Sequence, residues 1–91
     1  MKILFQREII GEMANTYQEG FWVHGNFIPA QGYFRYQRFF SSIVNEEGMD
    51  ETEFDTELLD ECNWFVESDH IRKGISIPAI YEDGDVSIRF R

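Results

Sequence analysis

The sequence predicts a single small α+β domain, with a mainly antiparallel sheet and two helices packed on one of its faces. Three observations carry that expectation. Apolar residues alternate in segments at both ends of the chain, the spacing changes to a helical period between them, and an Asp-Gly pair separates two alternating runs near the C-terminus. Strands at both ends with helices between, in the order β-β-α-α-β-β, describe an antiparallel sheet covered from one side.

With 91 residues, 43% apolar and 16% aromatic, the chain supports one core and one domain over residues 1–91. The alternation begins at Lys2–Ile10, where Ile3, Phe5 and Ile9 fall on one side of a strand and Leu4 and Ile10 on the other. Gly11 to Gly20 reads as a mostly polar connection. In Phe21–Ile28, a second strand antiparallel to the first, Phe21, Val23 and Phe27 point one way and Trp22, His24 and Asn26 the other.

Pro29 and Gly32 bracket a break, and a helix follows. At one residue per 100°, Tyr33, Tyr36, Phe39, Phe40, Ile43 and Val44 lie within about 140° of one another, opposite Arg35, Arg38, Ser42 and Asn45. Phe34 lies off that stripe and calls for a second packing surface. Gly48 ends the helix.

Asp50 and Glu53 are spaced as a capping box, which predicts a second helix beginning there. Its apolar side carries Phe54, Leu58, Leu59 and Cys62, and its opposite face Glu53, Glu57, Asp60 and Glu61. Extended chain resumes at Trp64. The final 17 residues read as a hairpin, with Asp83-Gly84 at the turn, Val86, Ile88 and Phe90 inward, and Pro78 confining its strand to an edge or a bulge.

The chain has one cysteine, so no intramolecular disulfide, and a reducing, cytoplasmic compartment is expected. The N-terminal residues lose apolar character before a signal sequence could form, and no run suits a membrane span. The net charge of −9 is unevenly placed. Between Glu46 and Asp69 stand eleven acidic residues and no Lys or Arg, whereas the remainder has six acidic and eight basic residues, giving −11 and +2. Nucleic-acid binding through the acidic segment is excluded on that ground, since phosphate contacts need cations.

No catalytic, cofactor or metal motif emerges. Cys62 shares a helical face with Phe54 and Leu58, which predicts a small buried side chain, not a nucleophile. His24 and His70 lack metal-ligand spacing, the glycines are scattered singly, and no serine has a nucleophile-elbow context. Carboxylates four apart, such as Glu53 with Glu57, lie on a solvated face where neither is tuned for proton transfer.

The resulting expectation is a non-enzymatic protein-interaction module, of the inhibitor, immunity-protein or adaptor kind by size and charge alone. It would bind a basic protein partner through Glu53, Glu57, Asp60 and Glu61, flanked by exposed aromatics Trp22, Phe34 and Trp64, with Tyr17 a further candidate. The competing expectation is a structural homodimer or larger homo-oligomer, with Arg89 and Arg91 lying against the acidic helix of another copy. A third, a small enzyme, would show itself as a concave pocket holding a histidine beside carboxylates.

Overall fold

The computed structural model describes all 91 residues and has the expected α+β class, with one antiparallel sheet. Seven strands run β1 Lys2–Phe5, β2 Glu8–Glu19, β3 Trp22–Pro29, β4 Trp64–Ser68, β5 Ile71–Gly74, β6 Ala79–Ile80 and β7 Asp85–Arg89. Helices α1 Gln31–Arg35, α2 Gln37–Ile43 and α3 Thr56–Leu59 lie between β3 and β4. The sheet order is β5-β4-β1-β2-β3-β7-β6, and every pairing is antiparallel. None of the helices is long and apolar enough to cross a membrane.

The first expected strand is two, because Gln6 takes a positive φ of 55° and turns the chain between β1 and β2. The register then slips at Ile10: Ile3 faces Gly11 and Leu4 faces Ile9. That bulge sends Ile10 into the core and leaves Ile9 41% exposed, the reverse of the simple alternation. The polar connection expected at Gly11–Gly20 is most of β2 instead. A second bulge sets Asn15 and Thr16 opposite Gly25 alone, with Asn15 at φ 53° and its amide nitrogen donating to Asn26 Oδ1 at 3.0 Å.

These bends curl the sheet into a half-barrel whose ends meet. Ile75 bridges Phe90, its N–H donates to the Trp64 carbonyl at 3.0 Å, and the Ser76 N–H donates to Arg89 at 2.9 Å. Arg91 locks the seam by donating Nε–H to the Ile75 carbonyl at 2.7 Å and an Nη2–H to the Trp64 carbonyl at 3.0 Å. The concave side holds Ile3, Phe5, Ile10, Met13, Val23, Val66, Ile75, Val86 and Ile88.

One end of the half-barrel is filled by helices. Phe39 and Phe40, at the centre of the expected helical stripe, are fully buried on α2, and Leu58 enters from α3. They close around Trp64, whose ring lies 4.9 Å from Phe5, 5.6 Å from Phe40 and 6.1 Å, nearly parallel, from Phe39. The indole N–H donates to the Leu58 carbonyl at 2.9 Å, tying β4 to α3.

The C-terminal hairpin forms as expected, with Gly84 at φ 94° in the turn and Val86 and Ile88 buried. The β4–β5 hairpin is less comfortable, since Asp69 and His70 hold φ of 52° and 65° between the paired residues Ser68 and Ile71. Such a turn favours glycine, and an L side chain there costs about 1–2 kcal/mol. His70→Gly is therefore expected to raise the unfolding free energy by about 0.5–1 kcal/mol after the entropic cost of glycine. A urea titration measures it, and a loss would show that the His70 side chain makes stabilising contacts of its own.

Candidate functional site

The acidic segment is three short turns, not one helix. Glu51–Glu53 and Glu61–Asn63 are 3-10 turns on either side of α3. Asp50, Asp55 and Asp60 stand at the three N-termini with non-helical ψ of 101°, 140° and 110°. Asp50 and Asp60 each accept a hydrogen bond from the backbone N–H two residues on, at 3.0 and 2.9 Å, and so restart the chain. The expected reach of Glu53 back to the cap is replaced by an ion pair with Arg38 at 2.7 Å.

Leu58 is buried and Phe54 and Leu59 are partly so, which pins the segment to the core and turns its carboxylates outward. Glu46, Glu47, Asp50, Glu51, Glu53, Asp55, Glu57, Asp60 and Glu61 are all exposed. Some serve the fold. The Asp50 carboxyl accepts from Thr52 Oγ1 at 2.6 Å and from the Thr52 N–H, and these bonds hold its pKa below the ordinary carboxylate value. Because the folded pKa is lowered, this contribution is present above the unfolded pKa and lost as pH falls through the folded one. Asp60 caps the following turn, and Glu57 accepts from Gln6 Nε2 at 3.3 Å.

Five carboxylates, Glu46, Glu47, Glu51, Asp55 and Glu61, have neither an ion pair nor a side-chain hydrogen bond. Arg38 is the one cation that meets residues 46–61, since Arg35 goes to Glu8 and Arg72 pairs with Glu67, further along the stretch.

The aromatic residues expected beside these acids are not gathered there. Trp64 is fully buried in the core and is corrected from a surface residue to a structural one. Extended chain does begin at Trp64, as expected, and alternation along β4 turns Trp64 and Val66 inside. Phe34 is 59% exposed on α1, its ring packed edge-on to Tyr33. Trp22 is 42% exposed but opens β3, seven residues of extended chain, about 23 Å, from the end that leads into α1. Phe21, expected on one face with Val23 and Phe27, is 69% exposed, whereas Val23 is buried. Cys62, expected buried, is exposed, because the 3-10 turn breaks its register with Leu58.

Trp22 belongs to a different surface, a row on the outer face of β2, β3 and β7. The His24 ring lies between Tyr17, at 5.1 Å, and Trp22, nearly parallel at 6.2 Å. Its Nδ1 is 2.8 Å from Ser87 Oγ and its Nε2 3.5 Å from Glu19 Oε1. Asp83 and Asp85 line the same shallow depression as His24 and Ser87, so histidine and carboxylates do share a hollow. Ser87, however, pairs with β3 on one side and β6 on the other, which commits the surrounding backbone N–H groups to the sheet. Ser87, His24 and Glu19 thus form a cross-strand contact on the outer face of the sheet. No three His, Cys, Asp or Glu side chains converge closely enough to hold a metal ion.

Fold and surfaces together define a small α+β half-barrel domain with an acidic outer segment. The chain matches no protein-family model, no curated protein and no solved structure.

Proposed function

We propose that this domain is a protein-interaction module that docks a basic partner through the outer surface of residues 46–61. One observation carries the reading: of nine exposed carboxylates there, five bond to nothing in the chain and a single one faces a cation. Crowded like charges lower the stability of the folded state, and a partner's Lys and Arg side chains relieve that repulsion. Opposite charge speeds and orients the encounter, and apolar burial, with Phe34 the exposed aromatic on α1, adds affinity.

Of the acids expected to bind, Glu61 is free for a partner, whereas Glu53, Glu57 and Asp60 already serve contacts within the chain. Glu46, Glu47, Glu51 and Asp55 join Glu61 as the carboxylates best placed for docking. Self-assembly through Arg89 and Arg91 has less support, because the Arg91 guanidinium is occupied by the Ile75 and Trp64 carbonyls. A reducing compartment accords with the exposed, unpaired Cys62.

The test is affinity capture from the native cell by the wild-type chain and by a Glu47→Lys, Glu51→Lys, Glu61→Lys variant, which leaves Asp50, Glu53, Glu57 and Asp60 in place. Basic proteins retained by the wild type should be recovered about tenfold less by the variant at moderate salt. Equal recovery by both would refute the reading.

A further inference from the structure

The helices fill the Phe5–Trp64 end of the half-barrel, and the opposite end is open. Register places Lys2 beside Glu67 there, three residue pairs beyond Phe5 and Trp64. The opening is a cleft of about 870 Å³, within the range of about 300–1,000 Å³ usual for small-molecule sites. No residue of the three helices or of the 46–61 surface lines it. Its floor is Val23 and Val66, both buried, and its walls include Phe21 and Ile71. Those two are 69% and 60% exposed, so two of the molecule's eight exposed large apolar side chains converge on one hollow.

The charged residues of the lining are Asp69, Lys73 and Arg91. Arg91 is spent on the seam carbonyls. Lys73 forms no ion pair, and its ammonium sits 5.4 Å from the centre of the Phe90 ring, against the cleft wall. A chain of net charge −9 thus presents a net positive lining at its most apolar concavity.

From this juxtaposition we infer that the open end binds a small amphipathic monoanion, an aliphatic body with one carboxylate, laid over Val23 and Val66 with its head on Lys73. A neutral apolar ligand would leave the Lys73 charge unanswered. A dianion would set its second charge over the apolar floor or beside Asp69, where desolvation and repulsion oppose it. The inference is independent of the acidic surface, which shares no residue with the cleft.

Decanoate and decanol, which share a chain and differ in the head group, are the probes, each titrated into the full chain below its aggregation concentration and followed by amide NMR shifts. Decanoate should saturate shifts at Val23, Val66, Ile71 and Lys73, and bind about tenfold more tightly than decanol. Lys73→Gln should erase that preference while leaving decanol affinity unchanged, and Phe21→Ser should weaken both ligands. Shifts that do not saturate, that fall outside the cleft, or a preference that survives Lys73→Gln would overturn the inference. Both substituted side chains are exposed, and the unchanged amide spectrum of each free variant verifies its fold.

Discussion

Trp64→Ala is expected to remove about 3–5 kcal/mol of stability, a large part of the roughly 5–15 kcal/mol that holds a small domain folded. The ring is fully buried, touches Phe5, Phe39 and Phe40, and anchors α3 through its N–H. Truncation therefore empties the place where helices and sheet meet, and leaves the Leu58 carbonyl without its donor. Trp64→Phe separates the two effects: it keeps most of the packing but deletes the hydrogen bond, at a further cost of about 1–3 kcal/mol if that carbonyl stays dry. Urea unfolding measures both. A loss below about 1 kcal/mol for the alanine variant would mean that the helices are held by other contacts.

Gly11→Ala should cost about 1–3 kcal/mol although it adds one methyl group. Gly11 is buried beside the first bulge, and a Cβ there would strike the Phe27 ring and lie 2.6 Å from the Ile28 carbonyl oxygen. The ring could turn aside, but the carbonyl belongs to the paired strand β3 and moves only with the sheet. The same urea titration reads the result, and a neutral substitution would show that β2 and β3 are less closely apposed than this register requires.

Much of this architecture was legible in the residues, and the failures share a cause. The hairpin around Gly84 and the Tyr33–Val44 stripe announce themselves because turn chemistry and apolar period agree there. β2 does not, because Asn15 to Glu19 are exposed throughout and offer no inward-outward alternation. Its pairing with β3 makes it a strand, and pairing is not a local property. The turn at Gln6 is hidden likewise, since a non-glycine residue with positive φ gives no signal in sequence.

In the acidic segment a real signal was assigned too much reach. Asp50 does cap, but Asp55 and Asp60 begin further turns, and short polar side chains that bond their own backbone interrupt a helix as readily as they start one. Once the helix became three turns, its faces lost their phase, and with them went the buried position of Cys62. The open cleft was invisible for a further reason. Phe21 sits in the turn between β2 and β3 while Ile71 and Lys73 stand on β5, and only the curl of the sheet brings them together.

That Glu47, Glu51 and Glu61, among the unpaired carboxylates of residues 46–61, are not spent on the fold is tested most directly by the thermal midpoint of the Glu47→Lys, Glu51→Lys, Glu61→Lys variant, compared with the wild type across a salt series. The variant should be the more stable at low ionic strength, where screening extends over about 30 Å, and the gap should close as salt is raised. A variant less stable than the wild type at every salt concentration would contradict the account, because those side chains would then be holding the molecule together.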